Sequence, residues 1–212
     1  MSLPHPRLAS CSSLALALTL GWARSAALCL LLATGCFAYR DGKLPRGGGF
    51  SAGERGTKTI AVSVKAERKV RGLMGDFPEP LRESWIEATL QAYRDCGVFS
   101  DVRRGIGGDT DLRASIEIED NVEASRPFTY LSAMSFFLLP SRSRDELSVR
   151  TTYRDRSGEV VGDFRSREAV VTWFQLFLLP LTPFADRDSV VEKTLRDLTL
   201  ATTRRARNKG VF

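Results

Sequence analysis

The chain has 212 residues, with 31 Lys and Arg against 25 Asp and Glu and a formal net charge of +6. Its 43% apolar and 26% charged residues are typical of a globular protein and exclude a disordered or collagen-like chain. Because the only histidine is His5, we expect no catalytic or metal centre built on imidazole, and no cofactor.

The first 35 residues predict a signal segment for export. They contain no acidic residue, and their two apolar runs, 14–22 and 26–33, are separated by Arg24. Neither run reaches the ~20 apolar residues that a helix needs to span a bilayer. A basic start, a short apolar run and small residues before a cleavage site are typical of a secretory signal peptide.

The six residues from Leu31 to Cys36, Leu-Leu-Ala-Thr-Gly-Cys, resemble the lipobox of bacterial lipoproteins. The resemblance implies cleavage after Gly35, a diacylglycerol anchor on the thiol of Cys36, and acyl chains such as palmitate in the membrane. The alternative is an ordinary secretory signal that is cleaved nearby and leaves Cys36 unmodified. Phe37 follows Cys36 in place of the Asp that retains enterobacterial lipoproteins in the inner membrane, so the resemblance favours the outer membrane, facing the periplasm.

Residues 36–58 are predicted to form the lipidated N-terminus and a flexible tether. The stretch 37–58 contains six Gly and no periodic apolar pattern, which is typical of a coil of roughly 25 Å for about 20 residues. Loss of the leader and lipidation of Cys36 leave one free cysteine, Cys96, so we expect neither a disulfide framework nor a metal site. Cys96 lies at helical spacing with apolar residues, which indicates core packing; a reactive thiol is the alternative.

Residues 59–212 predict a single α+β domain in the order β-α-β-β-β-β-α, an antiparallel sheet with two main helices packed on one face. Alternation of apolar and polar residues in 59–65 and 112–119 predicts strands. Apolar residues at helical spacing between 80 and 96, followed by Gly97, predict the first main helix. The second is expected to begin near Asp186 or Asp188. We expect the basic residues at its end to be exposed to solvent: Arg204, Arg205, Arg207 and Lys209.

Residues 145–168 predict a β-hairpin around the turn Asp155-Arg156-Ser157-Gly158. A two-residue loop at 156–157 would place Tyr153 opposite Val160 and Val149 opposite Phe164, with apolar side chains on one face. The other face would then carry three pairs of opposite charge: Arg154 with Glu159, Arg150 with Asp163, and Glu146 with Arg167.

Similar apolar segments flank this hairpin, Phe-Phe-Leu-Leu-Pro at 136–140 and Leu-Phe-Leu-Leu-Pro at 176–180. Because they extend the two strands away from the turn, we expect them to emerge at the same end of the sheet. They are either core elements covered by the final helix or a protruding apolar surface that enters a membrane or a partner groove. The candidate contact residues are Phe136, Phe137, Leu138, Leu139, Trp173, Phe174, Phe177 and Leu178, with Arg142 and Arg144 beside them and Tyr130, Met134 and Phe184 in the same region.

A helix ending in Cys-Gly-Val-Phe at 96–99, followed by a strand that begins Asp-Leu-Arg-Ala-Ser-Ile at 111–116, resembles parts of small periplasmic lipoproteins of envelope assembly and transport. The resemblance covers part of the domain and implies this class of protein, without implying a function for any residue.

No constellation for catalysis is present in the sequence. A Ser-His-Asp or Cys-His arrangement is excluded, and Glu117 and Glu119 fall on the outward face of a strand. We therefore expect a non-catalytic, lipid-anchored component of a cell-envelope complex, with an envelope protein as partner and a second membrane contact through segments 128–140 and 170–184. A lipid-transport accessory with an apolar groove is the alternative, and a histidine-free carboxylate hydrolase is a more remote one; no nucleic acid is expected as a partner.

Overall fold

The structure, a computed structural model, describes residues 36–42, 44, 50, 56–70, 73–106, 109–178 and 186–212. The predictions for the leader and for Phe184 lie outside the described residues.

The described residues contain seven strands and three helices. The strands are β1 (Cys36–Arg40), β2 (Thr59–Val70), β3 (Leu73–Met74), β4 (Asp101–Arg104), β5 (Leu112–Ala124), β6 (Ser141–Arg154) and β7 (Val160–Phe174). The helices are α1 (Glu79–Asp95), α2 (Arg126–Met134) and α3 (Arg187–Asn208). The predicted α+β class is confirmed, with α2 as an additional short helix.

All strands join one sheet in the order β1-β7-β6-β5-β2-β3, and β4 also pairs with β2. The prediction of an antiparallel sheet is wrong in part: the sheet is mixed, because β2 runs parallel to both β4 and β5 while the other pairs are antiparallel. The parallel pairs arise where the chain leaves β2, crosses over through α1 and returns in the same direction.

The two main helices, α1 and α3, pack on one face of the sheet, as predicted. Alternate residues of β5 from Leu112 to Ile118 are buried and meet helix residues such as Trp85 and Leu195 in one core. Cys96 is buried, and its thiol donates to the carbonyl of Tyr93 at 2.9 Å. Burial raises the pKa of this thiol above its usual value, so its environment is that of a packed core cysteine.

The predicted register of the β6–β7 hairpin is wrong by two residues. Tyr153 pairs with Gly162, where Val160 was predicted, and Phe164 pairs with Thr151, where Val149 was predicted. The turn is longer than predicted because Gly158 adopts a φ of 88°, and a further register shift follows at the start of β7. A shift of two residues leaves each side chain on its predicted face.

Two of the three predicted ion pairs survive as diagonal contacts across this hairpin. Arg150 contacts Asp163 at 2.5 Å, and Arg167 contacts Glu146 at 3.8 Å. Arg154 instead donates to the carbonyl of Gly158 at 3.0 Å.

The tether predicted for residues 36–58 does not begin at residue 36. Residues 36–40 form β1, an edge strand paired with β7. Arg40 anchors this strand, since its guanidinium bonds to Asp197 of α3 and lies 3.4 Å from the buried carboxylate of Glu168. The sequence contained no clear alternation signal here, because the strand is short and Ala38 is its one buried apolar side chain among the described ones.

Candidate functional site

Two exposed apolar segments lie together at one end of the sheet. The first comprises α2 and the turn 135–140 before β6, and the second is the 3₁₀ turn 176–178 after β7. The backbone N–H of Leu176 donates to the carbonyl of Phe137 at 2.9 Å and joins the two segments. The prediction that they emerge at the same end is confirmed, although both turn away from the sheet.

Eight large apolar side chains of these segments are exposed to solvent, out of fourteen among the described residues. We call them the apolar tip: Phe128, Tyr130, Leu131, Met134, Phe136, Leu138, Leu139 and Phe177. The exposed fractions of Phe136 (68%) and Phe177 (70%) show that these side chains lie outside the core. Large exposed apolar patches on proteins often mark sites of interaction.

Four of the predicted contact residues are not part of the apolar tip, because their side chains are partly buried: Phe137, Trp173, Phe174 and Leu178. Sequence reasoning did not select Phe128 and Leu131 as contact residues. The available signal was their three-residue spacing with Met134, which places all three on one side of a helix.

Phe136 occupies the position after a helix end where glycine is usual. The N–H groups of Phe136 and Phe137 donate to carbonyls in the last turn of α2 at 3.1 and 2.7 Å, the two bonds of a Schellman motif. Phe136 therefore has a φ of 52°, a left-handed conformation that costs a residue other than glycine about 1–2 kcal/mol. The equivalent residues after α1 and α3 are Gly97 and Gly210, with φ values of 67° and 72°.

The residue marked by the lipobox lies at the same end of the sheet. The Cα atom of Cys36 pairs with that of Phe174, the last residue of β7. Phe174 pairs on its other side with Ser141, which directly follows the turn of the apolar tip. Residue 36 is thus two strands away from the apolar tip.

Two arginines beside the apolar tip were predicted from the sequence, and the structure places both at the start of β6. Arg142 is exposed, and its guanidinium lies 5.8 Å from the ring centroid of Trp173. Arg144 contacts Asp41 at 2.6 Å. A cation held against an aromatic ring suits a surface where apolar and charged groups meet.

Two buried aspartates and two partly buried arginines form a group of charged residues at the face of the sheet that the helices cover. Arg68 donates to Asp120 at 2.8 Å, and Arg187, the first residue of α3, donates to Asp145 at 2.6 Å. Both carboxylates are almost completely inaccessible, and one oxygen of each has no hydrogen-bond partner. Burial, with the charge of Asp145 nearby, raises the pKa of Asp120 from 3.8 to about 6.

We expect the raised pKa of Asp120 to make the protein less stable as the pH rises from 4 to 7. The folded state holds this proton more tightly than the unfolded state, so its contribution is full below pH 4 and is lost as the pH passes through about 6. The free energy of unfolding, relative to that of an Asp120→Asn variant, should fall by up to about 3 kcal/mol over this range. Urea unfolding at a series of pH values measures it.

Asp163 provides the matched control for this pH dependence. Its hydrogen bonds from Arg150 lower the pKa of its carboxyl. Relative to an Asp163→Asn variant, the wild-type protein should therefore gain stability as the pH rises through the acidic range. Slopes of the same sign for the two comparisons would contradict the assignment of the raised pKa to Asp120.

A groove of about 440 Å³ lies between β1 and α3, lined mainly by apolar surface of Ala38, Tyr39 and Val190, with charged groups of Arg40, Lys193, Arg196 and Asp197. The residues that line it lie outside the apolar region 130–184, which the alternative of a lipid-transport accessory would use as its groove.

Metal sites and membrane-spanning helices have no counterpart among the described residues. No cluster of three His, Cys, Asp or Glu side chains could hold a metal ion there, and no described helix is both long and apolar enough to cross a membrane. The carboxylate of Glu119 binds Lys69 at 3.0 Å and Arg165 at 2.8 Å. Glu117 is exposed, as predicted.

Comparisons with known proteins find no matching family model and no curated protein with significant sequence similarity. Among solved structures, the chain is similar to a PelC dodecamer from Paraburkholderia phytofirmans, with 16% identity and a TM-score of 0.36, over 79% of this chain and 96% of that one. It is also similar to a minor lipoprotein from Acinetobacter baumannii, with 11% identity and a TM-score of 0.35, over 68% and 90% of the two chains. Because these TM-scores are below 0.5, they support neither an activity nor a location.

Proposed function

We propose that this chain is a bacterial lipoprotein, anchored in the cell envelope through acyl groups on Cys36, and that it acts by binding and not by catalysis. One observation carries the proposal: the residue that the lipobox marks as the acylated N-terminus lies in β1, an edge strand, where it pairs with the last residue of β7 at one end of the sheet.

Two further features support a binding role. The buried carboxylates Asp120, Asp145 and Glu168 are each engaged by an arginine that holds the fold together. The apolar tip, by contrast, offers exposed apolar area and contains no charged side chain. In the proposed setting the protein sits on the outer membrane facing the periplasm and contributes to a complex with an envelope protein.

Replacing Cys36 by serine tests the anchor. We expect Cys36→Ser to abolish incorporation of an alkyne-tagged fatty acid in cells and to abolish the effect of globomycin on leader cleavage, since serine has no thiol to carry the diacylglycerol. Gel fluorescence of the captured protein and its distribution between membrane and soluble fractions are the measurements.

Cys11→Ser is the matched control, because it makes the same change upstream of the proposed cleavage site. Its labelling should equal that of the wild-type protein. Wild-type protein without label, or persistent label on Cys36→Ser, would overturn the proposal.

A further inference from the structure

The position of Cys36 limits how far the domain can lie from an anchoring membrane. Antiparallel strand partners have Cα atoms roughly 4.5–5.5 Å apart. Since Cys36 pairs with Phe174 and Phe174 with Ser141, the Cα atom of Ser141, two residues after Leu139 of the apolar tip, lies within roughly 10 Å of the anchored residue. Pairing with β7 also fixes the direction in which residue 36 leaves the sheet, so no flexible linker separates the two features.

A bilayer interface is about as deep as this separation. The headgroup region adds about 5–7 Å on each side of the hydrocarbon core, and apolar faces of peripheral proteins enter it by about 5–10 Å. If acyl chains on residue 36 are in a leaflet, side chains within roughly 10 Å on the same sheet end reach its headgroups.

The composition of the apolar tip and its neighbours suits the headgroup layer of a bilayer. Phe, Leu and Met side chains supply apolar area, and Tyr130 and Trp173 are of the two types enriched at membrane interfaces. Arg142 is exposed beside them, where its guanidinium can bind lipid phosphate.

The backbone at Phe136 is the independent indication that this surface has a role. The other two helices satisfy the same left-handed position with glycine, whereas α2 places there an aromatic residue that is 68% exposed. Its side chain gains little from the core to offset the backbone strain. Backbone strain of this kind clusters at functional sites.

We infer that the apolar tip inserts into the headgroup layer of the leaflet that holds the acyl chains of Cys36, with anionic lipid phosphate as the ligand of Arg142. The inference rests on the proposed acylation of Cys36 and names the surface that the protein binds. The domain is then clamped to the membrane in one orientation, with the β6–β7 turn directed away from it.

Tryptophan quenching tests the inference on the acylated protein. The protein is reconstituted into vesicles of phosphatidylethanolamine and phosphatidylglycerol that contain brominated lipid, which quenches nearby tryptophan. Tyr130→Trp reports on the apolar tip. Val160→Trp is the control, because Val160 is also exposed but lies at the opposite end of β7, roughly 45 Å along the strand from Phe174.

We expect the emission added by Tyr130→Trp, above the background of Trp85 and Trp173, to be quenched at least about twofold more than that added by Val160→Trp. Equal quenching at the two positions in acylated protein would overturn the inference and leave the anchor in place, as for a tip that binds a protein. Absence of the acyl group, measured by fatty-acid labelling, would instead overturn the proposed function itself.

Discussion

Replacement of Arg187 by methionine is expected to lower the free energy of unfolding by about 3–5 kcal/mol. Arg187 donates to Asp145 at 2.6 Å, and the side chain of Asp145 is 1% accessible. Methionine fills similar space but leaves the buried carboxyl group of Asp145 without its arginine and close to a second buried carboxyl group, Asp120. Such a loss is a large part of the stability of an ordinary domain.

The position of Arg187 in α3 supports this ion pair as the reason for the residue. Arg187 is the first residue of the helix, where the helix dipole disfavours a positive charge. Asp186 already caps the helix by accepting from the N–H of Ser189 at 3.1 Å. The arginine is therefore explained by the buried carboxylates that it faces and not by helix formation.

Arg167→Met is the control, because Arg167 and Glu146 form an exposed pair 3.8 Å apart, worth about 0–1 kcal/mol. A double variant, Arg187→Met with Asp145→Asn, also removes the carboxyl group that Arg187→Met leaves without a partner. Its free energy of unfolding should be at least about 1 kcal/mol higher than that of Arg187→Met alone. Equilibrium urea unfolding, followed by the emission of the buried Trp85, measures all three variants. If Arg187→Met cost no more than Arg167→Met, the buried pair would not be an important contribution to stability.

The sequence predicted those parts of the fold that depend on local periodicity. Alternation in β2 and β5 and helical spacing in α1 and α3 place their apolar residues in the core. The hairpin register depends on the left-handed Gly158, which is typical of a three-residue loop where two residues were predicted, and on the shift at the start of β7. The two-residue error preserved the faces, and for that reason the predicted charged face remained correct.

The pairing of strands that lie far apart in the chain could not be predicted from the sequence. Residues 36–40 join the sheet because β7, about 130 positions later, offers an edge, and a short strand next to a Gly-rich stretch carries little signal of its own. The same limit applies to the site. The apolar segments were recognised as a pair, but whether Phe136 and Phe177 lie inside or outside depends on the turn after α2, and this turn uses a phenylalanine where a pattern expects glycine.

Phe136→Gly is expected to separate the stability of the domain from its membrane contact. Glycine adopts the left-handed conformation without strain, although it also adds entropy to the unfolded chain, so the free energy of unfolding should stay the same or rise by up to about 1 kcal/mol. Removal of the ring loses apolar burial in the membrane, worth about 1.5–3 kcal/mol for a fully buried phenylalanine, so the ratio of inserted to free apolar tip should fall roughly 10- to 100-fold. Quenching of Tyr130→Trp by brominated lipid reports this ratio.

Phe177→Ala makes the complementary comparison, because Phe177 is equally exposed but has no left-handed backbone. It should weaken insertion to a similar extent and give no gain in stability, since no strain is released. If Phe136→Gly lowered stability and left quenching unchanged, the ring would serve the fold in spite of its exposure. The left-handed phenylalanine would then have no link to the membrane. If the apolar tip binds the membrane, Phe136→Gly and Phe177→Ala should both reduce quenching and leave the free energy of unfolding unchanged or higher. Such a result means that the substitutions weaken only the membrane-bound state.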